Sequence, residues 1–343
     1  MAPLENPLEI RSPRARKGGA KFRDPVAESL FPDSLGSRIP ENHLARTADG
    51  LFTTFMQQLR GASHGRSNVV IVDGTKKAGN ASWWKYTKDS NALPSDPDAR
   101  LQNSHGRRLV GYNAQVALDL ESKMILACDV FSDQSDQHVG ERLMETMKLQ
   151  QGSYPCAVVA DTGFDTNENI AAMESRGIDS VICPGDNLPS QLAEDDEGVL
   201  VCPAGRRLIK VRQEFKSTTG WTYDVYRPEG GCSKCPLSAT CAFKGKRLCV
   251  KEGTDPGTRF RNRERFNSAT YASARTKRKW VEKPFAQMWL DGFTRFRRRG
   301  RSKVRTELIL WAITYNIRVA VSLFTCFWAE ILLFFPARQP QTC

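Results

Sequence analysis

Short apolar runs and helical repeats divide the middle of this 343-residue chain into alternating strands and helices. A helical repeat of apolar residues predicts a helix over 136–150. Asp165 with Glu168 three residues later forms a capping-box pattern that predicts the start of another helix. Runs rich in Val, Ile and Ala predict strands over 69–72, 112–118, 124–131, 157–160 and 180–183. This alternation predicts an α/β domain with a mixed sheet.

Acidic residues stand at three notable places in this pattern. Asp73 and Asp161 each follow an apolar run, and Glu282 opens a segment of helical character. The ends of parallel neighbouring strands meet at one sheet edge, so the two aspartates would lie together there, and a packed helix would add the third carboxylate. Three carboxylates without histidine suit Mg²⁺. Each residue also has an ordinary structural explanation, because Asp before Gly or Thr forms turns and the helix dipole favours an acid at a helix start.

Four sequence blocks in one order are more specific. They are DGTKKAGNAS from residue 73, GYNAQVALD at 111–119, ADTGFDTNENI from 160, and VEKPFAQM from 281 followed by GFTRFRRRGRSKVRTELILWAITYNI. With these blocks the chain resembles, over 68–319, a DDE transposase of the bacterial insertion-sequence type, in the branch with cysteines inside the catalytic domain. The resemblance implies a ribonuclease H-like fold, whose first and fourth strands are parallel neighbours. It also implies that Asp73, Asp161 and Glu282 are catalytic and bind Mg²⁺ or Mn²⁺.

The same resemblance implies an activity and partners. These are metal-dependent DNA strand cleavage, strand transfer of an insertion element, double-stranded DNA as element end and target, and a homodimer in the active complex. Two departures stand against it. Trp289 lies seven residues after Glu282, where related enzymes carry Lys, and Arg275 lies where they carry Tyr, three residues before Arg278. Most of the family's helical N-terminal domain is also expected to be missing.

The chain is strongly basic, with 50 Lys and Arg against 38 Asp and Glu. Most of this excess lies over 275–305, where twelve basic residues stand against two acidic ones and aromatic residues interleave with them. Guanidinium groups bind phosphates and aromatic rings stack on bases, so this segment predicts DNA contact, although basic runs are also often plain solvated surface. The candidate DNA-binding residues are Arg278, Arg295, Arg297, Arg298, Arg299 and Arg301.

The spacing of four of the ten cysteines predicts a second metal site. Cys202, the pair Cys232 and Cys235, and Cys241 match a tetrahedral zinc site, with scattered core cysteines as the alternative. These four lie within the 121 residues that separate the second and third candidate acids, which is too long for a plain connection and predicts an inserted zinc ribbon-like subdomain. The first forty residues show no secretory signal, so we expect a cytoplasmic, nucleoid-associated protein with reduced thiols.

These patterns divide the chain into five parts. We predict a basic arm and a remnant of the N-terminal helical region over 1–60, the first part of a ribonuclease H-like domain over 61–185, a Cys-rich insertion over 186–267, the catalytic helix and basic segment over 268–319, and an apolar tail over 320–343. The tail's apolar run is shorter than the ~20 residues of a spanning helix, so a buried terminal helix is favoured over a membrane anchor. A shortened, non-catalytic transposase-derived DNA-binding protein is the alternative function, and an unrelated metal-dependent nuclease is a third.

Overall fold

The computed structural model describes residues 44–62, 69–80, 95–104, 106–185, 192–217, 220–241 and 243–334. The predicted basic arm at 1–40 lies outside these ranges. The helices are α1 (Leu44–Ala62), α2 (Gly140–Gln151), α3 (Asn167–Glu174), α4 (Thr258–Asn267), α5 (Ala272–Lys277), α6 (Glu282–Leu290) and α7 (Arg301–Phe334). Turns of 3₁₀ helix lie at Asp136–His138, Thr162–Phe164, Ala269–Tyr271 and Arg278–Val281.

Six strands form the main sheet, and five more form two small sheets. The strands are β1 (Val69–Ala78), β2 (Arg100–Ser104), β3 (Arg107–Asp119), β4 (Ile125–Phe131), β5 (Ala157–Ala160), β6 (Asp179–Ile182), β7 (Ala193–Glu194), β8 (Leu200–Val201), β9 (Leu208–Lys216), β10 (Trp221–Pro228) and β11 (Leu248–Lys251). In the main sheet, β3 pairs antiparallel with β1, β2 and β4, while β1, β5 and β6 are parallel neighbours. The α/β class and the mixed sheet are therefore confirmed, and the arrangement is compatible with a ribonuclease H-like fold.

Helices cover both faces of the main sheet. Alternate residues of β1 belong to two different hydrophobic clusters, because successive side chains of a strand point to opposite faces. On one face Ile71 packs with residues of α1 and α7, including Phe52 and Leu308. On the other face Val72 packs with residues of α2 and α3, including Leu143. The sheet is thus the middle layer of a three-layer domain.

Strand β1 is longer than the apolar run at 69–72 predicts. It continues through Asp73 to Ala78, because β3 pairs with it over its whole length and supplies backbone partners to its polar half. Asp73 therefore lies within the strand and not at its end, which corrects the sequence interpretation. β2 also escaped prediction, because its sequence RLQNS lacks an apolar run.

The capping box predicted at Asp165 is wrong. Helix α3 begins one residue later, at a cap formed by Thr166, whose hydroxyl accepts a hydrogen bond from the Asn169 N–H at 3.2 Å. Asp165 instead ends the preceding 3₁₀ turn, accepts the Gly185 N–H at 2.7 Å and forms an ion pair with Arg259 of α4. The Asp165 side chain therefore forms a long-range ion pair with Arg259 and does not form the helix cap that the local pattern predicted.

The Cys-rich region contains the β7–β8 hairpin and the three-stranded sheet β11–β10–β9, which share a small hydrophobic cluster. Helix α4, at the end of the predicted insertion, packs against β6 of the main sheet. Its Asn262 side chain accepts the Ile182 N–H at 2.9 Å and donates to the Ile182 carbonyl at 3.0 Å. The proposed limits of the insertion stay a prediction, and this contact ties its last helix to the main domain.

Helix α7 runs without interruption from the basic segment into the predicted apolar tail. Its first half carries Val304, Leu308 and Ala312, which are buried against the main sheet. Asn316 fixes this packing by bonding both backbone groups of Ile125 at 2.8 Å. Among the described residues, no helix combines the length and the apolar character that crossing a membrane requires.

Candidate active site

The parallel pairing of β1 and β5 brings Asp73 and Asp161 to the same part of the sheet. Ile71 is opposite Val159, and each aspartate lies two residues beyond its member of this pair. Asp73 accepts the Gly74 N–H at 2.7 Å, and Asp161 accepts the Gly163 N–H at 2.9 Å as the cap of the following 3₁₀ turn. Both carboxylates therefore keep further oxygen lone pairs for other partners.

Burial makes these two carboxylates unusually reluctant to ionise. It raises the pKa of Asp73 from 3.8 to about 6, and the Gly74 N–H opposes this effect, while the charges of Asp161 and Asp136 add to it. Burial also raises the pKa of Asp161; Asp136 acts in the same direction, while the cations Arg278 and Lys76 lower it. Buried acids of like charge that perturb one another are characteristic of sites that bind a cation or transfer protons.

The third predicted acid, Glu282, has a different setting. It is an exposed residue in the first turn of α6, and the 3₁₀ turn that precedes it carries Arg278, whose charge acts on both aspartates. Within the described ranges, no three His, Cys, Asp or Glu side chains form a group that could hold a metal ion. The structure thus brings Asp73 and Asp161 together, with Arg278 nearby, and leaves Glu282 on the surface.

Asp136 is a site residue that the sequence interpretation missed. Its Oδ1 accepts hydrogen bonds from Lys76 Nζ at 2.9 Å, Asn113 Nδ2 at 2.7 Å and Gln115 Nε2 at 2.6 Å. In the sequence Asp136 only marks the start of a predicted helix. The available signal was in β3, where Asn113 and Gln115 are polar residues at alternate positions of an otherwise apolar strand.

Comparison with known proteins identifies the family of this domain. The family model described as "Transposase DDE domain" matches residues 64–317. The chain belongs to this family. Among solved structures, the domain is similar to a chain of the "piggyBac transposase synaptic complex with hairpin DNA", at 10% identity and a TM-score of 0.28, covering 81% of this chain and 55% of that one. No curated protein matches the sequence.

The chain spans about half of the length of this structural relative, namely 55%. The resemblance inferred from the four sequence blocks is confirmed at the level of the family by a match that includes both aspartates and Glu282.

The four predicted zinc ligands of the DDE domain line one pocket. Cys202, Cys232, Cys235 and Cys241 line it together with Arg206 and Lys244, but in the described part of the chain their thiols do not form a group that could hold a metal ion. Tight turns carry three of them, since the Cys235 N–H donates to the Cys232 carbonyl at 3.3 Å and the Gly205 N–H to the Cys202 carbonyl at 2.8 Å. Of the other cysteines, Cys128 is buried in the main core, whereas Cys156 is exposed.

The basic segment runs beside the end of β1. Arg295 forms an isolated bridge with Ala78, and the Phe296 N–H donates to the Ala78 carbonyl at 2.9 Å. Buried Lys77 donates to the Phe293 carbonyl and lies under the rings of Phe293 and Trp289; its burial lowers its pKa to about 8. These contacts hold the basic segment next to the strand that carries Asp73.

The six candidate DNA-binding arginines have unequal environments. Glu307 accepts the backbone N–H groups of Arg297 and Arg298 at 2.8 and 2.5 Å, and both residues are exposed, as are Arg295 and Arg299. Arg301 instead donates to the Val130 carbonyl at 2.7 Å, so it also secures the start of α7 to β4. Arg278 is half-buried and faces the aspartates.

Proposed function

We propose that this chain is a DDE transposase that cleaves DNA strands with divalent metal ions and transfers the freed ends of an insertion element to target DNA. The observation that carries the proposal is the placement of Asp73 within β1 and of Asp161 directly after its parallel neighbour β5, where burial raises the pKa of both. Membership of the DDE family supports the same reaction class.

Asp73 and Asp161 are the residues that would hold Mg²⁺ or Mn²⁺, with Glu282 completing the set once α6 and its preceding turn adjust. Carboxylate oxygens of this kind fit a hard cation, and the burial that disfavours two negative charges is relieved when positive charge arrives. Bound divalent ions supply activation of water and neutralisation of the oxygens of the phosphodiester. Arg278, which acts on both aspartates, would offset the charge of the phosphate beside them.

A second candidate function is DNA binding without catalysis by a transposase-derived protein. The exposed position of Glu282 favours it, because the third acid does not join the aspartates in this structure. The two candidates share the basic segment and differ in strand cleavage.

Cleavage of a duplex that carries the parent element's terminal repeats distinguishes them. We expect Mn²⁺- or Mg²⁺-dependent nicking by the wild-type protein and its collapse in Asp161→Asn, which keeps the side-chain shape but removes a ligand charge. DNA binding should persist in this variant. Asp133→Asn is the matched control, because Asp133 pairs with Arg142 and should leave nicking unchanged. Equal nicking by Asp161→Asn and wild type would refute the assignment, and binding without nicking by the wild type would favour the second function.

The proposal extends to DNA, zinc and cellular location. Double-stranded DNA would lie along the exposed arginines of the basic segment, beside β1, with two copies of the chain in the active complex. A structural Zn²⁺ would be held by the four cysteines that line one pocket, once their turns bring the thiols to ligand distance, because thiolates are ligands that Zn²⁺ prefers. We place the protein in the cytoplasm, in association with the nucleoid.

A further inference from the structure

Lys76 is a cation whose charge acts on Asp161 but whose ammonium group is bound to another acid. It follows Asp73 by three residues on β1, and its charge acts on Asp161. Its Nζ nevertheless bonds Asp136 Oδ1 at 2.9 Å, and the two side chains are only 12% and 21% exposed. Charges interact more strongly where water is excluded, so this ion pair resists exchange more than one on the open surface.

Asp136 is held in place by groups other than Lys76. Asn113 and Gln115, both fully buried on β3, donate to the same Oδ1. Gly74 lies opposite Gln115 in the β1–β3 register and leaves room for its amide, because a Cβ at position 74 would stand 1.9 Å from Gln115 Nε2. The carboxylate is thus oriented by the sheet itself before Lys76 binds it.

The other oxygen of Asp136 faces the turn that carries Asp161. A Cβ added at Gly163 would meet Asp161 Oδ1 at 3.0 Å and Asp136 Oδ2 at 3.5 Å, so both carboxylates border this glycine. An ammonium group released from Asp136 would therefore have the buried carboxylate of Asp161 within its surroundings. There it would compete with any divalent cation for the same oxygens.

We propose that Asp136 is a positioning residue that holds the Lys76 ammonium away from Asp161 and so keeps this carboxylate open to a divalent cation. The inference rests on the proposed function, since it presupposes a cation at the two aspartates. It assigns to Lys76 the role of an internal competitor, and to Asn113 and Gln115 the orientation of the residue that restrains it.

Titration calorimetry with Mn²⁺ alone, on the full chain without DNA, tests this role. Asp136→Asn keeps the shape and the amide contacts but releases Lys76, so we expect Mn²⁺ to bind about tenfold more weakly. Adding Lys76→Met to this variant removes the competitor and should restore affinity to within about threefold of the wild type. A purely structural role for Asp136 predicts the opposite, because a second lesion in one network weakens the site further.

Three further variants make the outcome decisive. Lys76→Met alone should bind Mn²⁺ at least as tightly as the wild type, a test that stands even if Asp136→Asn fails to fold. Asp133→Asn, with an exposure of 22% and its own partner Arg142, should bind like the wild type. Any one of three results would overturn the inference. These are a wild-type Mn²⁺ affinity in Asp136→Asn, no recovery of Mn²⁺ affinity in the double variant, and weaker Mn²⁺ binding by Lys76→Met than by the wild type. If the wild type and Asp161→Asn bind Mn²⁺ with equal affinity, Asp161 does not bind the cation. That result would instead contradict the cation site itself, and with it the proposed function.

Discussion

At the residue scale, Asp73 and Asp161 acquire their raised pKa values from burial and from neighbouring carboxylates, among which Asp136 acts on both. Neither has a strong cation in direct hydrogen-bond contact among the described contacts; each carboxylate accepts a neighbouring backbone N–H. The charge of Arg278 acts on both carboxylates, and that of Lys76 acts on Asp161. The site is therefore short of positive charge, which is the condition under which a divalent ion or a proton binds.

This shortage predicts a pH-dependent stability in the absence of metal. The pKa of Asp73 is raised from the ordinary value of 3.8 to about 6 in the folded protein, so the folded state binds the proton more tightly than the unfolded chain does. The stabilisation that this proton gives to the folded state is fully present below pH 3.8 and is lost as the pH rises through about 6. In EDTA at about pH 7.5, Asp73→Asn should raise the free energy of unfolding by on the order of 1–3 kcal/mol.

Urea denaturation measures this effect. At about pH 4 the advantage of Asp73→Asn should shrink to a small part of its value, because the wild-type side chain is then largely protonated in the folded state. Asp133→Asn serves as control, since Asp133 is ion-paired with Arg142. A stabilisation by Asp73→Asn of the same size at both pH values would contradict the linkage.

At the element scale, two segments carry separate parts of the function. The loop between α6 and α7 is secured to β1 through Ala78 and Lys77 and presents exposed arginines. The Cys-rich region presents four thiols to one pocket on turns outside the main sheet. We propose the first as a surface for a polyanion, and the second has a hydrophobic cluster of limited size.

The basic loop should neutralise phosphates without reading bases. Replacing Arg297, Arg298 and Arg299 together by Gln should weaken binding to every DNA sequence alike. The slope of log affinity against log salt should fall by about one unit per lost contact. Fluorescence anisotropy over a salt series measures both. Arg212→Gln, which removes an ion pair with Glu214 on β9, is the control, and a triple variant with an unchanged salt slope would place the DNA elsewhere.

The Cys-rich region should contain about one zinc per chain. Metal analysis of purified protein should find it in the wild type and lose it in Cys235→Ser, because a tetrahedral site cannot spare a ligand. Cys249 of β11 supplies the control: it is half-buried like Cys235 and is not among the residues that line the pocket, so Cys249→Ser should retain the metal. Equal zinc in both serine variants would leave the four thiols as ordinary residues.

At the scale of the whole molecule, strand cleavage and complete transposition make different demands. Nicking needs one site and one DNA end, whereas excision needs two ends held together. In this chain Glu282 is exposed, and Trp289, which is 66% exposed, occupies the position of the expected Lys. A weakened contact with each end lowers the population of a two-end complex more steeply than it lowers nicking.

We therefore expect slow nicking with Mn²⁺ and little excision of a marked element in cells by the chain as written. Trp289→Lys alone should not rescue excision if recognition of the ends is the main defect. An excision assay with sequenced junctions checks this, with Asp161→Asn as the inactive reference. Efficient and accurate excision by the unaltered chain would show that its own contacts suffice for assembly.

The sequence by itself determined the α/β class and the family, and the family resemblance implied the parallel pairing of β1 with β5. Val-rich runs at 69–72 and 157–160 carry a strong local signal, because strands buried on both faces must be apolar. Motifs such as ADTGFDTNENI carry their information in contiguous residues. The same local patterns predicted helices near 136–150 and after Asp165, with errors only in where each begins.

Only the tertiary structure decided which polar side chains meet. Asp136 joins Lys76 across 60 positions of the chain, and Asp165 leaves its expected cap for Arg259, 94 residues away. Strand β1 continues beyond Asp73 because β3 pairs with it there. The exposure of Glu282 depends on how α6 packs. The physical reason is that hydrogen bonds and ion pairs depend on distance in space, whereas a sequence pattern records only neighbours along the chain.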